Sequence, residues 1–476
     1  MSPPPGRPHH LKRSQTMSIH EECGIFGIYD PAGNCAKSVY YGLYALQHRG
    51  QEQCGIAAVN NLELSCYKDS GLVGDVFTEP ILEKLGGTMA IGHVRYSTTG
   101  ESRRENAQPL TLNYVKGSLA VAHNGNLVNT MALRREYEYK GAIFHTTTDS
   151  EIIAYIIAQE RLRCNSVELA VLRAMDHLRG AFSLVVMSSR KLIAARDPWG
   201  FRPLCMGRRG DAVVFASESC ALDSVGAEFE RDIEPGEVVW VCDGKVHSIQ
   251  GPRAEKSSLC IFEHIYFARP DSVIDGQSVH DARLLLGAQL AKEHPIDADV
   301  VVGVPDSGLI AAEGYAKASG IPYADGFVKN RYVGRTFIKP DQHSREVAVQ
   351  LKLNPLRATI AGKRVILIDD SVVRGTTSGQ IVRLLRNAGA KEVHMLSSAP
   401  KFVSPCYFGT DIPSKDELFA CHYSTEEMRR IIGADSLGFL SLEGLERIAP
   451  DSKCAFCTGC FSEYYPIPVS GGTEIE

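Results

Sequence analysis

An apolar run, Val365 to Ile368, ends in two adjacent aspartates, Asp369 and Asp370. It then passes through Ser371, Arg374, Gly375, Thr376 and Thr377 into SGQIVRLLRNAGA, whose apolar residues recur at helical spacing. A short, wholly apolar strand that leads into a helix ending at Gly is the unit of a parallel sheet with crossover helices. The same rhythm occurs in ADVVVGVPDSG followed by LIAAEGYAKASG, and a further strand follows in EVHMLSSAP. This half of the chain is expected to be α/β. It contains neither G-x-x-x-x-G-K-[ST] nor a strand-borne G-x-G-x-x-G, so neither a P-loop nor a dinucleotide fold is indicated.

The preceding half has another texture. AIGHVRYST, SLAVAHNG, FSLVVMSS, KLIAARDP, AVVFASES and GEVVWVCDG read as short strands in succession, with helical periodicity in DSEIIAYIIAQERLR and SVELAVLRAMDHLRG. Strands followed by strands argue for α+β architecture with antiparallel sheets. The polar, turn-rich GPRAEKSSLC marks the change, which gives expected units of 23–255 and 256–466, with a tail at 467–476. A length of 476 residues accommodates them.

Charge narrows the function classes. With 51 Lys and Arg against 56 Asp and Glu, the net charge of -5 offers no nucleic-acid or membrane footprint, although local clusters still suit small anions. No window approaches the roughly 18 to 20 apolar residues of a membrane helix. The start, MSPPPGRPHHLKRSQT, has basic residues with no apolar segment behind them. A cytoplasmic protein is expected.

Residues 1–22 are Pro-rich, polar and aperiodic, yet they end at a thiol, Cys23 of SIHEECGIFGIYD, at the head of an apolar strand. Were the chain cut after Glu22, Cys23 would carry a free α-amine titrating at about 7.7 to 8.0, so nucleophile and base would be one residue. Removal of a methionine cannot create that terminus from either Met1 or Met17, so 1–22 reads as a propeptide. A buried structural cysteine is the alternative at this position.

Most of the 14 cysteines stand alone in apolar context, where a small buried hydrophobe is the ordinary role. SKCAFCTGCFS differs: Cys454, Cys457 and Cys460 repeat every third residue, a spacing that suits a metal.

The segment from Asp369 to Thr377 also has a binding chemistry. Backbone amides and Thr hydroxyls at the helix start can hold a sugar 5-phosphate, while adjacent carboxylates suit ribose hydroxyls and a magnesium ion. Asp and Ser also serve simply as turn and capping residues. VGVPDSG sets Ser307 in a turn after an earlier strand, and VKNRYVGRTFI gathers Lys329, Arg331 and Arg335 with Gly334 in an expected loop. A basic loop can close over a diphosphate and neutralise the departing charge.

VILIDDSVVRGTT resembles the type I phosphoribosyltransferase signature at nearly every position. CGIFG, LQHRGQEQCGIA, IGHVRYSTTG, AVAHNGNLVN, TTTDSE and RDPWGFRPL, in that order, resemble the class II glutamine amidotransferase domain, an N-terminal-nucleophile hydrolase. From Cys23 to about Pro466 the chain resembles the glutamine phosphoribosylpyrophosphate amidotransferases, most closely those with a propeptide and an iron-sulfur cluster.

The resemblance implies an αββα glutaminase domain followed by an α/β type I phosphoribosyltransferase domain. It implies a glutaminase with Cys23 as nucleophile, Asn124 and Gly125 as oxyanion hole, and Arg95, Thr98 and Asp149 holding glutamine. It implies 5-phosphoribosyl 1-diphosphate at Asp369, Asp370, Ser371, Arg374, Gly375, Thr376, Thr377, Lys329 and Arg331, with one magnesium at Ser307, Asp369 and Asp370. It further implies one [4Fe-4S] cluster per subunit at Cys260, Cys406, Cys457 and Cys460, leaving Cys454 of uncertain membership. Tetrahedral zinc accepts the same thiolates. Homotetramers inhibited by purine nucleotides are usual in the family. The implied reaction joins ammonia, released from glutamine and passed internally, to C1 of the phosphoribosyl group at the start of de novo purine synthesis. A glucosamine-6-phosphate synthase would share the glutaminase motifs but not LIDDSVVRGTT, and a ligand-sensing repressor would need a DNA-binding module of which there is no sign.

Overall fold

The computed structural model describes residues 23–96, 104–330, 353–412 and 414–469. The strand that follows Cys23, Gly24–Tyr29, is buried along all but its last residue. It runs antiparallel between Met89–Arg95 and Ala212–Ala216 at the centre of a seven-stranded sheet. A second sheet, six-stranded and also antiparallel, has Gly117–Leu127 and Gly180–Ser188 as an inner pair.

Alternate side chains serve different layers. Ile25, Ala57 and Ile91 of the first sheet pack face to face against Ala120, Ala122, Val185 and Ala194 of the second. Phe26 and Ile28 turn the other way, onto helix Cys35–Ala45. On the outer face of the second sheet, Leu119, Val121, Leu184 and Val186 pack against helices Asp149–Arg163 and Val167–Met175. Helix, sheet, sheet and helix thus form the expected αββα layering. Burial on both faces explains why these strands read as continuous apolar runs rather than as alternation. The sheets meet closely at Gly27, where a Cβ would come within 2.6 Å of Val185 Cγ1.

The second unit has a parallel sheet in the order Val300–Gly303, Arg364–Asp369, Glu392–Ser397, Ser436–Phe439. The period of two is again visible. Val301, Ile366, Ile368 and Leu396 face helices Val279–Glu293 and Gly308–Ser319. Val300, Val302, Val365, Leu367 and Met395 face helices Thr376–Asn387 and Thr425–Ile432.

Backbone pairing ties the interdomain segment to the tail, and buried ion pairs join the units. Leu259–Cys260 pairs in parallel with Phe456–Cys457. Arg49 and Arg202 of the first unit both pair with Glu263, and all three side chains are fully buried. Arg196 binds Asp275 through two bonds of 2.8 and 2.7 Å.

Candidate active site

Strand register brings the first set of residues together. Gly24 lies opposite Val94, which sets Cys23 beside the end of the strand that carries Arg95, and the Cys23 thiol lies 3.5 Å from the carbonyl oxygen of Tyr96. Arg95 is 2% exposed and donates to Gln53 Oε1 at 2.9 Å. Burial lowers its pKa, while Cys23, Glu52 and Asp149 oppose the shift, so the guanidinium, the thiol and the carboxylate share one electrostatic neighbourhood.

Asp149 opens helix Asp149–Arg163, and its Oδ2 accepts from the amide of Leu127 at 3.0 Å. Burial alone would raise its pKa. His123, at 3.7 Å, and the Leu127 and Ser150 amides offset this and hold it below the usual range, so the site keeps an anion suited to an ammonium. The His93 ring meets the carbonyl oxygen of His123 at 3.0 Å and joins the two sheets one residue before Asn124. Asn124 is 1% exposed and its Nδ2 has no hydrogen-bond partner among the described residues. A buried amide with no partner is costly, and it is what an oxyanion site requires of a donor before substrate arrives. Gly125, at φ 143°, leaves no room for a side chain, since a Cβ would stand 2.1 Å from Ala181 O.

Thr98 lies outside the described residues, as do residues 1–22, Arg331, Gly334 and Arg335. Sequence reasoning missed Gln53 and His123. A polar residue at the head of the otherwise apolar strand QCGIAAVN, and a histidine inside SLAVAHNG, are the signals that point to them.

In the second unit, the sheet sets the end of Arg364–Asp369 beside the turn after Val300–Gly303. The Ser307 hydroxyl donates to Asp370 Oδ2 and that of Ser371 to Asp370 Oδ1. Ser307 precedes helix Gly308–Ser319 without capping it through its side chain, so its hydroxyl is committed to the acidic pair. Burial raises the pKa of both aspartates, and Asp370 raises that of Asp369 further, because two adjacent carboxylates resist joint ionisation. The donor set of Ser307, Asp369 and Asp370 therefore suits a divalent cation, which would relieve that repulsion. Gly375, at φ 74°, turns the chain into helix Thr376–Asn387, leaving Thr376 and Thr377 exposed at its start, while Arg374 pairs with Glu417 at 2.7 Å. Lys329 corrects an expectation. It ends a short strand, Phe327–Lys329, paired with Leu353–Pro355, rather than lying in a loop, because its neighbour Phe327 is drawn into the core. Its ammonium pairs with Asp306 in the turn before Ser307.

The tail cysteines separate. Cys260 and Cys457 are register partners, and the carbonyl oxygen of Cys460 accepts from the amides of Val403 and Ser404, just before Cys406. Burial, and then Cys406, Cys260 and Cys457, push the Cys460 thiol well above its usual range, and burial with Cys406 pushes Cys457 up to about 12. Two buried thiols, Cys457 and Cys460, crowded by those of Cys406 and Cys260, fit a metal or cluster site. Cys454 instead faces Asp275 and Ser257. Among the described residues no set of three or more His, Cys, Asp or Glu side chains is already arranged to hold a metal ion. No helix among them is long and apolar enough to cross a membrane.

Known proteins show the same pairing of units. Residues 93–224 match the glutamine amidotransferase domain and residues 278–401 the phosphoribosyl transferase domain. The chain is 49% identical over 464 residues to the amidophosphoribosyltransferase of Methanocaldococcus jannaschii, covering 94% of this chain and 98% of that one. It is 50% identical over 452 residues to the chloroplastic amidophosphoribosyltransferase 1 of Arabidopsis thaliana, covering 94% and 79%. The solved glutamine phosphoribosylpyrophosphate amidotransferase of B. subtilis, complexed with ADP and GMP, superposes with a TM-score of 0.88 at 47% identity, covering 94% of this chain and 98% of that one. With both domain types present and such identity along nearly the whole length, the chain belongs to the amidophosphoribosyltransferase family.

Proposed function

We propose that Cys23, made amino-terminal by removal of residues 1–22, attacks the side-chain amide of glutamine, with its own α-amine relaying the thiol proton to the leaving nitrogen. A glutamyl thioester and ammonia result, and water releases glutamate. The overall reaction converts glutamine and 5-phosphoribosyl 1-diphosphate to 5-phosphoribosylamine, glutamate and diphosphate. It is the pentosyl transfer that belongs to purine (IMP) biosynthesis. The observation that carries the glutaminase assignment is the buried amide of Asn124, unpartnered among the described residues, which with the Gly125 N–H receives the oxyanion. Arg95 takes the α-carboxylate of glutamine and Asp149 its α-ammonium, so that only the side-chain amide reaches the thiol.

In the second unit the 5-phosphate sits at the start of helix Thr376–Asn387, held by Ser371, Arg374, Gly375, Thr376 and Thr377, and Asp369 and Asp370 take the ribose hydroxyls. Lys329, with Arg331, neutralises the diphosphate as it leaves C1. A magnesium ion bound by Ser307, Asp369 and Asp370 would supply further positive charge to the diphosphate. Ammonia that travels within the protein stays unprotonated and nucleophilic.

The thiols of Cys260, Cys406, Cys457 and Cys460 would hold a [4Fe-4S] cluster with a structural role, one per subunit, since they join the interdomain segment, the tail and the phosphoribosyltransferase unit. Regulation by purine nucleotides is supported by the ADP and GMP bound to the B. subtilis relative. A cytoplasmic homotetramer completes this reading. Intact-mass and N-terminal analysis tests its central step: a chain beginning at Cys23 is expected, and a fully active enzyme that retains residues 1–22 would overturn it.

A further inference from the structure

The oxyanion strand is held from outside its own unit. Asn126, two residues beyond Asn124, donates through Nδ2 to the carbonyl oxygen of Tyr407 at 2.9 Å, across 281 residues of sequence. The next carbonyl oxygen along that segment, Phe408 O, accepts from Arg202 through Nε at 3.2 Å and Nη2 at 2.7 Å. Arg202 is itself fully buried and paired with Glu263. The Phe408 ring stacks on Phe201 with centroids 4.3 Å apart. Gly409 then approaches so closely that a Cβ there would lie 3.3 Å from the carbonyl carbon of Gly125 and 3.5 Å from the Asn126 nitrogen, at a φ of 115° that already favours glycine. The peptide after Gly125 is therefore packed by Ala181 of its own sheet and by residues 407–409 of the phosphoribosyltransferase unit.

We propose that Asn126 is a positioning residue for glutamine hydrolysis, and that residues 407–409 are the brace through which the second unit sets the aim of the Asn124 and Gly125 donors. The inference rests on the assignment of those two residues as the oxyanion hole. Oxyanion donors work only when held within about half an ångström of the productive geometry, and that depends on the contacts behind them. The Asn126 to Tyr407 bond and the Gly125 to Gly409 contact hold the last turn of chain before the strand ends at Leu127. Asn126 does not touch the reacting atoms, and its effect passes through the backbone of Gly125.

Steady-state rates with glutamine and with added ammonia, on the full-length enzyme, test the proposal for Asn126→Ala, Gly409→Ala and Asn124→Ala. Loss of a hydrogen bond that positions a donor is expected to lower kcat with glutamine about tenfold in Asn126→Ala, with KM for glutamine within about twofold of the parent. Gly409→Ala, pressing on the same peptide from the other unit, should show the same split. The ammonia-dependent rate should stay at the parent value in both. Unchanged kcat with glutamine in Asn126→Ala, while Asn124→Ala loses about 10²-fold or more, would overturn the brace and leave the oxyanion hole standing. Unchanged kcat in Asn124→Ala would remove the oxyanion assignment and the brace with it. Equal loss of both activities, or a rise in KM alone, would show a merely structural contact and overturn the proposal.

Discussion

Cys260 stands opposite Cys457 in a parallel pair of two-residue strands, so the segment between the units and the tail of the chain are joined in register at two candidate cluster ligands. Anaerobically purified protein is expected to be brown, with about four irons and four sulfides per chain. Cys457→Ser should lose both colour and iron, whereas Cys454→Ser should retain them because that thiol faces Asp275. Colourless, fully active protein with one zinc per chain would refute the cluster and leave the amidotransferase assignment intact.

Cys23→Ala should abolish synthesis from glutamine but leave synthesis from added ammonia at the parental rate. Its thiol lies against Tyr96 O in the first unit, while the phosphoribosyl site is built from the ends of parallel strands in the second. Loss of both activities in protein that still gives a cooperative melt would contradict the division between two sites.

Asp370→Asn should remove phosphoribosyl transfer with either nitrogen donor, through loss of one charge from the pair that suits magnesium and ribose. Stability should not fall with it. The pKa of Asp370 is raised first by burial, so its ionised form costs folding energy at neutral pH, and the amide removes that cost. Full synthetic activity in this variant, measured as phosphoribosylamine formed at saturating magnesium, would contradict the ribose-phosphate assignment.

Glu218 supplies an acid-labile tie between the units. It pairs with Arg49 and with His48 at 2.7 Å, and accepts from Arg269 N at 2.9 Å and Ser272 Oγ at 2.6 Å. Burial alone would raise its pKa, yet Arg49, His48 and Ser272 hold it well below the carboxylate range. A folded-state pKa below the unfolded value of about 4.3 contributes stability that is complete above that value and is lost as pH falls through the folded one. Glu218→Gln should cost about 3 to 5 kcal/mol at pH 7, because Arg49 keeps its charge in a buried site. The deficit should shrink as pH falls below about 4.3, which denaturant unfolding at several pH values would reveal. A variant as stable as the parent at pH 7 would show that Arg49 is satisfied by Glu263 alone.

Much of the architecture was legible because it depends on short-range pattern. Val365 to Ile368 are apolar on both sides of the chain and flow into a helix, which admits a buried parallel strand and little else. Gly24–Tyr29 is likewise legible as a buried strand, here antiparallel, whose residues alternate between two buried layers. Lys329 escaped this reasoning, since three residues carry too little periodicity to announce a strand whose partner begins at Leu353. The equal spacing of Cys454, Cys457 and Cys460 was misleading for a related reason. A repeat of three describes distance along the chain, whereas the fold turns Cys454 to Asp275 and Ser257 and sets Cys457 and Cys460 both beside Cys406.

The sequence by itself determined the order of strands and helices, the division into antiparallel and parallel halves, and which side chains have the chemistry to act. These follow from local pattern and residue type. Only the tertiary structure decided that the Asn124 amide is left without a partner among the described residues, that the Ser307 hydroxyl turns to Asp370 rather than to its own helix, and that Tyr407 reaches Asn126. Each of these depends on groups that meet across tens to hundreds of residues. Sheet register and the docking of two cores bring them together, and both arise from the summed packing of many side chains rather than from any one motif.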